Sequence, residues 1–147
     1  MSPSALDHDP AMPSYPPADG ALPGAPWSFR LAGVLSARPA VELYEAGDLL
    51  DVVSSTPVAP QLVRGARATS ESGCQRALAW GRLPATGGWL AVEFSSGTVR
   101  RYAHRAAVIE ITGWCWLAVA DGRFDRVVVS SGGRRLQQRV TGGRRWR

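Results

Sequence analysis

The sequence predicts a mainly β fold: an antiparallel β-sandwich or small barrel of about eight strands. Three observations lead there. From Trp80 to Val140 the chain is a succession of short apolar runs, each closed by a glycine-containing turn. Four of the six tryptophans fall between Trp80 and Trp116. No long stretch carries the apolar spacing of a helix.

The chain has 147 residues, enough for one domain with tails. Residues 1–26 hold seven prolines, from Pro3 to Pro26. Proline supplies no backbone donor, so this stretch reads as a disordered, polyproline-like tail. Pro13 and Pro16 have the bare spacing of a Pro-rich ligand, without a flanking arginine. The single β domain is expected over 27–141, and 142–147 is a basic tail.

Trp27, Phe29 and Leu31 alternate with small or polar residues and predict the first strand. Residues 40–45 follow as a strand. Residues 48–53 form a second strand or a short helical turn, since Gly47 interrupts any long helix. Residues 54–73 carry serines, threonines, Pro57, Pro60, Gly65 and Gly73, which is loop chemistry. Twenty residues make a long connection, so the stretch is mobile, packs on a partner, or hides an element near 61–67. Strands are then expected at 75–83, 89–95, 98–104, 106–112, 114–120, 124–130 and 134–141. Pro84–Gly88, Ser96-Gly97, Gly113 and Ser131-Gly132-Gly133 separate them. Asp121-Gly122 is a hairpin signal. Arg134, Arg135 and Arg139 suit an edge strand, because charge discourages edge-to-edge pairing.

Net charge is +5, unevenly placed. Residues 1–60 hold two arginines and seven acids, while residues 61–147 hold fifteen arginines and five acids. Such a split can mark a polyanion partner or a merely solvated basic surface. Lysine and asparagine are absent. Their codons are A-rich, so a GC-rich genome explains the choice of arginine but not the surplus of positive charge. No apolar run approaches the roughly 20 residues of a membrane helix. No basic-then-apolar leader opens the chain. A cytoplasmic protein is expected.

Residues 78–129, with AWGRLP and then GWCWLAVADGRFDRVVV, resemble short uncharacterised β-rich proteins of high-GC bacteria. The likeness covers about a third of the chain. Its residues belong to turns and core, so it implies a β fold and carries no site with it.

Enzymatic chemistry finds few groups. His104 is the one histidine outside the tail, and its nucleophile would be Cys115 or a serine. No G-x-S-x-G elbow occurs. Cys74 and Cys115 lack metal-ligand spacing, and no metal or other cofactor is implied. In a reducing compartment both are expected as free thiols. Asp121 and Asp125 flank a turn, where aspartate serves the backbone. Gly132-Gly133-Arg134-Arg135 precedes a strand rather than a helix, so it is no phosphate loop.

Two surfaces remain. Alternation puts Trp114 and Trp116 on one face of their strand, with Cys115, Leu117 and Val119 on the other. That indole face is either buried or a protein contact surface. Arg100, Tyr102 and His104 share a second face, able to stack bases and neutralise phosphates, or simply solvated. The favoured expectation is a non-catalytic protein-binding or assembly module using Trp114 and Trp116. The alternative is a nucleic-acid-binding β domain using Arg100, Tyr102, His104, Arg134 and Arg135, aided by Arg144, Arg145 and Arg147.

Overall fold

The computed structural model describes residues 19–22, 26–33, 38–56, 61–71, 73–84, 89–97 and 102–142. Among them every regular element is a strand. In chain order these are β1 (Asp19–Ala21), β2 (Trp27–Ala32), β3 (Ala40–Glu45), β4 (Asp48–Ser54), β5 (Gly65–Glu71), β6 (Cys74–Arg82) and β7 (Ala91–Ser96). Then come β8 (Tyr102–Ala106), β9 (Val108–Ile111), β10 (Cys115–Asp121), β11 (Arg126–Ser131), β12 (Arg134–Arg139) and β13 (Thr141–Gly142).

They form three sheets. The first is a meander, β1-β2-β3-β4; the central one runs β13-β5-β6-β10-β9; the third runs β12-β11-β7-β8. All pairings are antiparallel except the short β13–β5 pair. β8 passes into β9 across Ala107, and β12 into β13 across Val140. The central and third sheets are therefore joined by continuous chain at both borders and pack face to face as a flattened barrel. The first sheet then covers the outer face of the central one.

Side-chain alternation explains this stacking. On β6 and β10, Ala77, Ala79, Trp116, Ala118 and Ala120 point into the barrel, against Val92, Phe94, Val127 and Val129 of the third sheet. The opposite parity, Leu78, Trp80, Cys115 and Leu117, meets Trp27, Phe29, Val41, Leu43 and Val53 of the first sheet. A strand buried on both faces loses its polar alternation, which is why these two read as continuous apolar runs. The alanines keep the barrel interior narrow enough for Trp116 and Phe94 to fill.

The β class, the strand at 40–45 and its extended partner at 48–53 agree with expectation. Ala46 and Gly47 join that hairpin with φ of 50° and 88°, the double left-handed geometry of a tight two-residue turn. Gly132 and Gly133 do the same between β11 and β12, with φ of 53° and 84°. Of the three readings of 54–73, the hidden element is what occurs, as β5, somewhat later than 61–67. Gly65 is small because Trp80 lies against it, where a Cβ would fall 2.5 Å from the ring; Ala66, of the other parity, belongs to the barrel core. Other expectations are corrected. Asp121-Gly122 does not close a hairpin, since β10 and β11 belong to different sheets; here the chain crosses the barrel end, with Phe124 turned inward. β1 lies within the stretch expected to be a tail. The Pro13–Pro16 segment, residues 85–88, the start of the strand expected at 98–104, and 143–147 lie outside the described residues.

Candidate functional site

Trp116 is fully buried. Its indole N–H donates to the Leu62 carbonyl at 2.8 Å. That carbonyl folds over Gly81, where a Cβ would lie 2.0 Å from it. Trp116 is thus a barrel-core residue, and the expected contact surface is not formed by it. Trp114 precedes β10 and sits in the turn after β9, so strand parity does not apply to it. It packs on the opposite side from Trp116, beside the first sheet, and donates to the Val53 carbonyl at 3.2 Å. The two indoles do not share a face.

The second predicted set is divided. Tyr102 and His104 do share a face: both rings lie against Phe124, with centroids 6.1 and 6.2 Å away. They cluster at the barrel end rather than on an open sheet. Arg134 and Arg135 belong to β12, at the opposite margin of the third sheet from β8. Alternation points those two arginines to opposite sides. Arg100, Arg144, Arg145 and Arg147 lie outside the described residues.

The catalytic pair is also separated. Cys115 is buried between the first and central sheets, where burial pushes its thiol up to about 12. His104 is exposed against Phe124. Asp121 pairs with Arg76 at 2.8 Å and Asp125 with Arg126 at 3.5 Å. Both cysteines are free thiols, with Cys74 exposed. No cluster of metal-ligating side chains occurs among the described residues, and no described helix is long and apolar enough to cross a membrane.

The strongest polar geometry joins the first two layers. Asp51 receives Arg64 Nε on Oδ2 at 2.7 Å and Nη2 on Oδ1 at 2.8 Å. It also receives the Trp80 indole N–H at 2.8 Å. Glu45 repeats the pattern with Arg67 Nε and Nη2, at 2.9 and 2.8 Å, and with Trp27 at 2.9 Å. Burial opposes ionisation of Asp51, but the Arg64 and Trp80 hydrogen bonds and the Arg64 charge outweigh it and hold the carboxyl below the usual aspartate value. The Arg67 hydrogen bond, helped by Trp27, lowers Glu45 against a smaller burial penalty. Bidentate pairs of this kind fix orientation as well as charge. They also use up part of the charge asymmetry: acids of the first sheet face arginines of the barrel.

Two outer sheet faces remain. On the first sheet, register sets Leu49 opposite Tyr44 and Val52 opposite Glu42, with Glu42 opposite Arg30. Leu49 is 55% and Val52 40% exposed. The Tyr44 hydroxyl donates to Glu42 Oε1 at 2.7 Å, which raises the phenol above its ordinary value. A shallow hollow lined by Gly20, Ala21, Ser28 and Arg30 lies beside Tyr44. On the third sheet, Arg105, Arg126, Arg135 and Arg139 point outward with Glu93. Neither grouping is legible along the chain. Arg135 and Arg139 share a parity on one strand, but which strands flank it is a matter of sheet order.

No protein-family model, curated protein or solved structure matches this chain.

Proposed function

We propose that this chain is a non-catalytic assembly module in which two copies pair through the outer face of the first sheet. The supporting observation is the apolar group Leu49, Val52 and Tyr44 on a face that no described layer covers. Large apolar side chains grouped beside polar ones favour a protein partner. Arg30 and Glu42 stand next to them, 3.8 Å apart. One charge of each sign beside an apolar centre is self-complementary under two-fold rotation, the requirement of an isologous contact.

Contact through the face is favoured over addition of a strand to β4. The Val52 N–H is taken by Asp51 Oδ1 at 2.8 Å, and the Ser54 carbonyl accepts from Arg82. Those caps occupy backbone groups that an added strand would need.

Light scattering on the full chain over a wide concentration range tests this reading. The expected mass is a dimer's, falling to a monomer's in the Leu49→Asp/Val52→Asp double variant, with an unchanged far-ultraviolet spectrum. A monomer mass for the unaltered chain at every concentration would sink it.

A further inference from the structure

The outer face of the third sheet differs in kind from that of the first. Arg139 lies directly opposite Arg126, and like charges set across a strand pair oppose folding. Arg126 is partly neutralised by Asp125 at 3.5 Å and donates to the Gly97 carbonyl at 3.1 Å. Arg105, Arg135 and Arg139 are exposed, and none has a carboxylate within ion-pair distance among the described residues. Arg105 faces Glu93 across its strand pair, yet four outward arginines against that one outward carboxylate leave positive charge in excess on these strands.

The same face lacks the apolar centre of a protein interface. The one large apolar side chain its strands place there, Val128, is only 8% exposed, so the middle of the face is polar and charged. Contact with a phosphate backbone requires cations and no such centre. An aromatic group lies at the margin. Trp89, 65% exposed, precedes β7 at the end of the sheet where Ala91 and Ser130 align with Arg135. An exposed indole stacks on unpaired bases.

We infer that this face binds the backbone of a single-stranded nucleic acid, with Arg105, Arg135 and Arg139 contacting phosphates and Trp89 stacking on a base. Of the aromatic–arginine set read from sequence only Arg135 recurs here, and the face is opposite the one assigned to assembly, so either can fail without the other.

Fluorescence anisotropy of the full chain with a labelled oligo-dT probe, titrated at several salt concentrations, tests it. Binding is expected to weaken steeply with salt. Arg135→Ala/Arg139→Ala should reduce the log–log salt slope by about 1.4, at about 0.7 for each single-strand phosphate left without its arginine. Arg135→Lys/Arg139→Lys should preserve the slope, and Trp89→Ala should weaken the oligonucleotide complex. Three results would each overturn the inference. One is an unchanged slope in the double alanine variant. Another is equal binding of poly-glutamate, which would point to an acidic protein. The third is complete loss of binding in Arg144→Ala/Arg145→Ala/Arg147→Ala while Arg135→Ala/Arg139→Ala binds normally.

Discussion

Trp27, Trp80, Trp114 and Trp116 share one arrangement. Each buries its rings between layers and directs its indole N–H to an acceptor on another segment: Glu45, Asp51, the Val53 carbonyl and the Leu62 carbonyl. A buried indole needs such a partner, because an unmatched donor costs about 1–3 kcal/mol. The acceptors of Trp80 and Trp114 lie in the first sheet, so these two also fix a register between layers, whereas Trp27 bonds its paired neighbour Glu45 within one sheet. Trp89 lies outside this pattern. Trp116→Ala should cost about 3–5 kcal/mol in urea denaturation, the range for a large aromatic removed from a packed core. Trp89→Ala should stay within about 0.5 kcal/mol, as an exposed substitution does. Similar losses in the two variants would contradict the burial described.

At the scale of elements, the first sheet is held to the barrel by a shared apolar layer and by the two carboxylate–arginine–tryptophan clamps. Asp51 and Glu45 both have folded-state pKa values below their ordinary 3.8 and 4.5. Their contribution to stability is therefore complete above those ordinary values. It declines as pH drops beneath them and is gone once pH passes below the lowered folded-state values. Denaturation midpoints should be flat near neutrality and fall in that acid window. The fall should be smaller in Glu45→Gln/Asp51→Asn, whose neutral side chains no longer titrate. An equal acid dependence in the double variant would mean that other carboxylates control it. None of this is readable along the chain. Asp51 and Arg64 are separated by a stretch with the composition of a loop, and their meeting depends on how two sheets stack.

At the scale of the molecule, a layer covered on both sides lies between two layers each open to solvent. β6 and β10 have paired neighbours on both edges and packed layers on both faces. Their amides should exchange most slowly with deuterium, and those of β1, β12 and β13 fastest, as local opening begins where backbone pairs are least covered. Slow exchange in β12 matching that of β10 would instead indicate a partner on the third sheet. The two outer faces carry opposite chemistry, an apolar one beside a balanced charge pair and an arginine-rich one. A dimer formed through the first sheet leaves both arginine faces free at its far ends.

The sequence by itself determined the β class, most strand positions after residue 75, and the turn glycines, because two-residue alternation and positive backbone angles are local properties. It left β5 as one of three readings of 54–73, because its alanines and glycine look like a loop until the Trp80 ring against Gly65 and the barrel core around Ala66 are known. Only the tertiary structure decided that Trp116 is interior, that Trp114 faces the other way, and which arginines share a surface. Burial and neighbourhood are set by the stacking of sheets, and that depends on contacts between residues far apart in the chain.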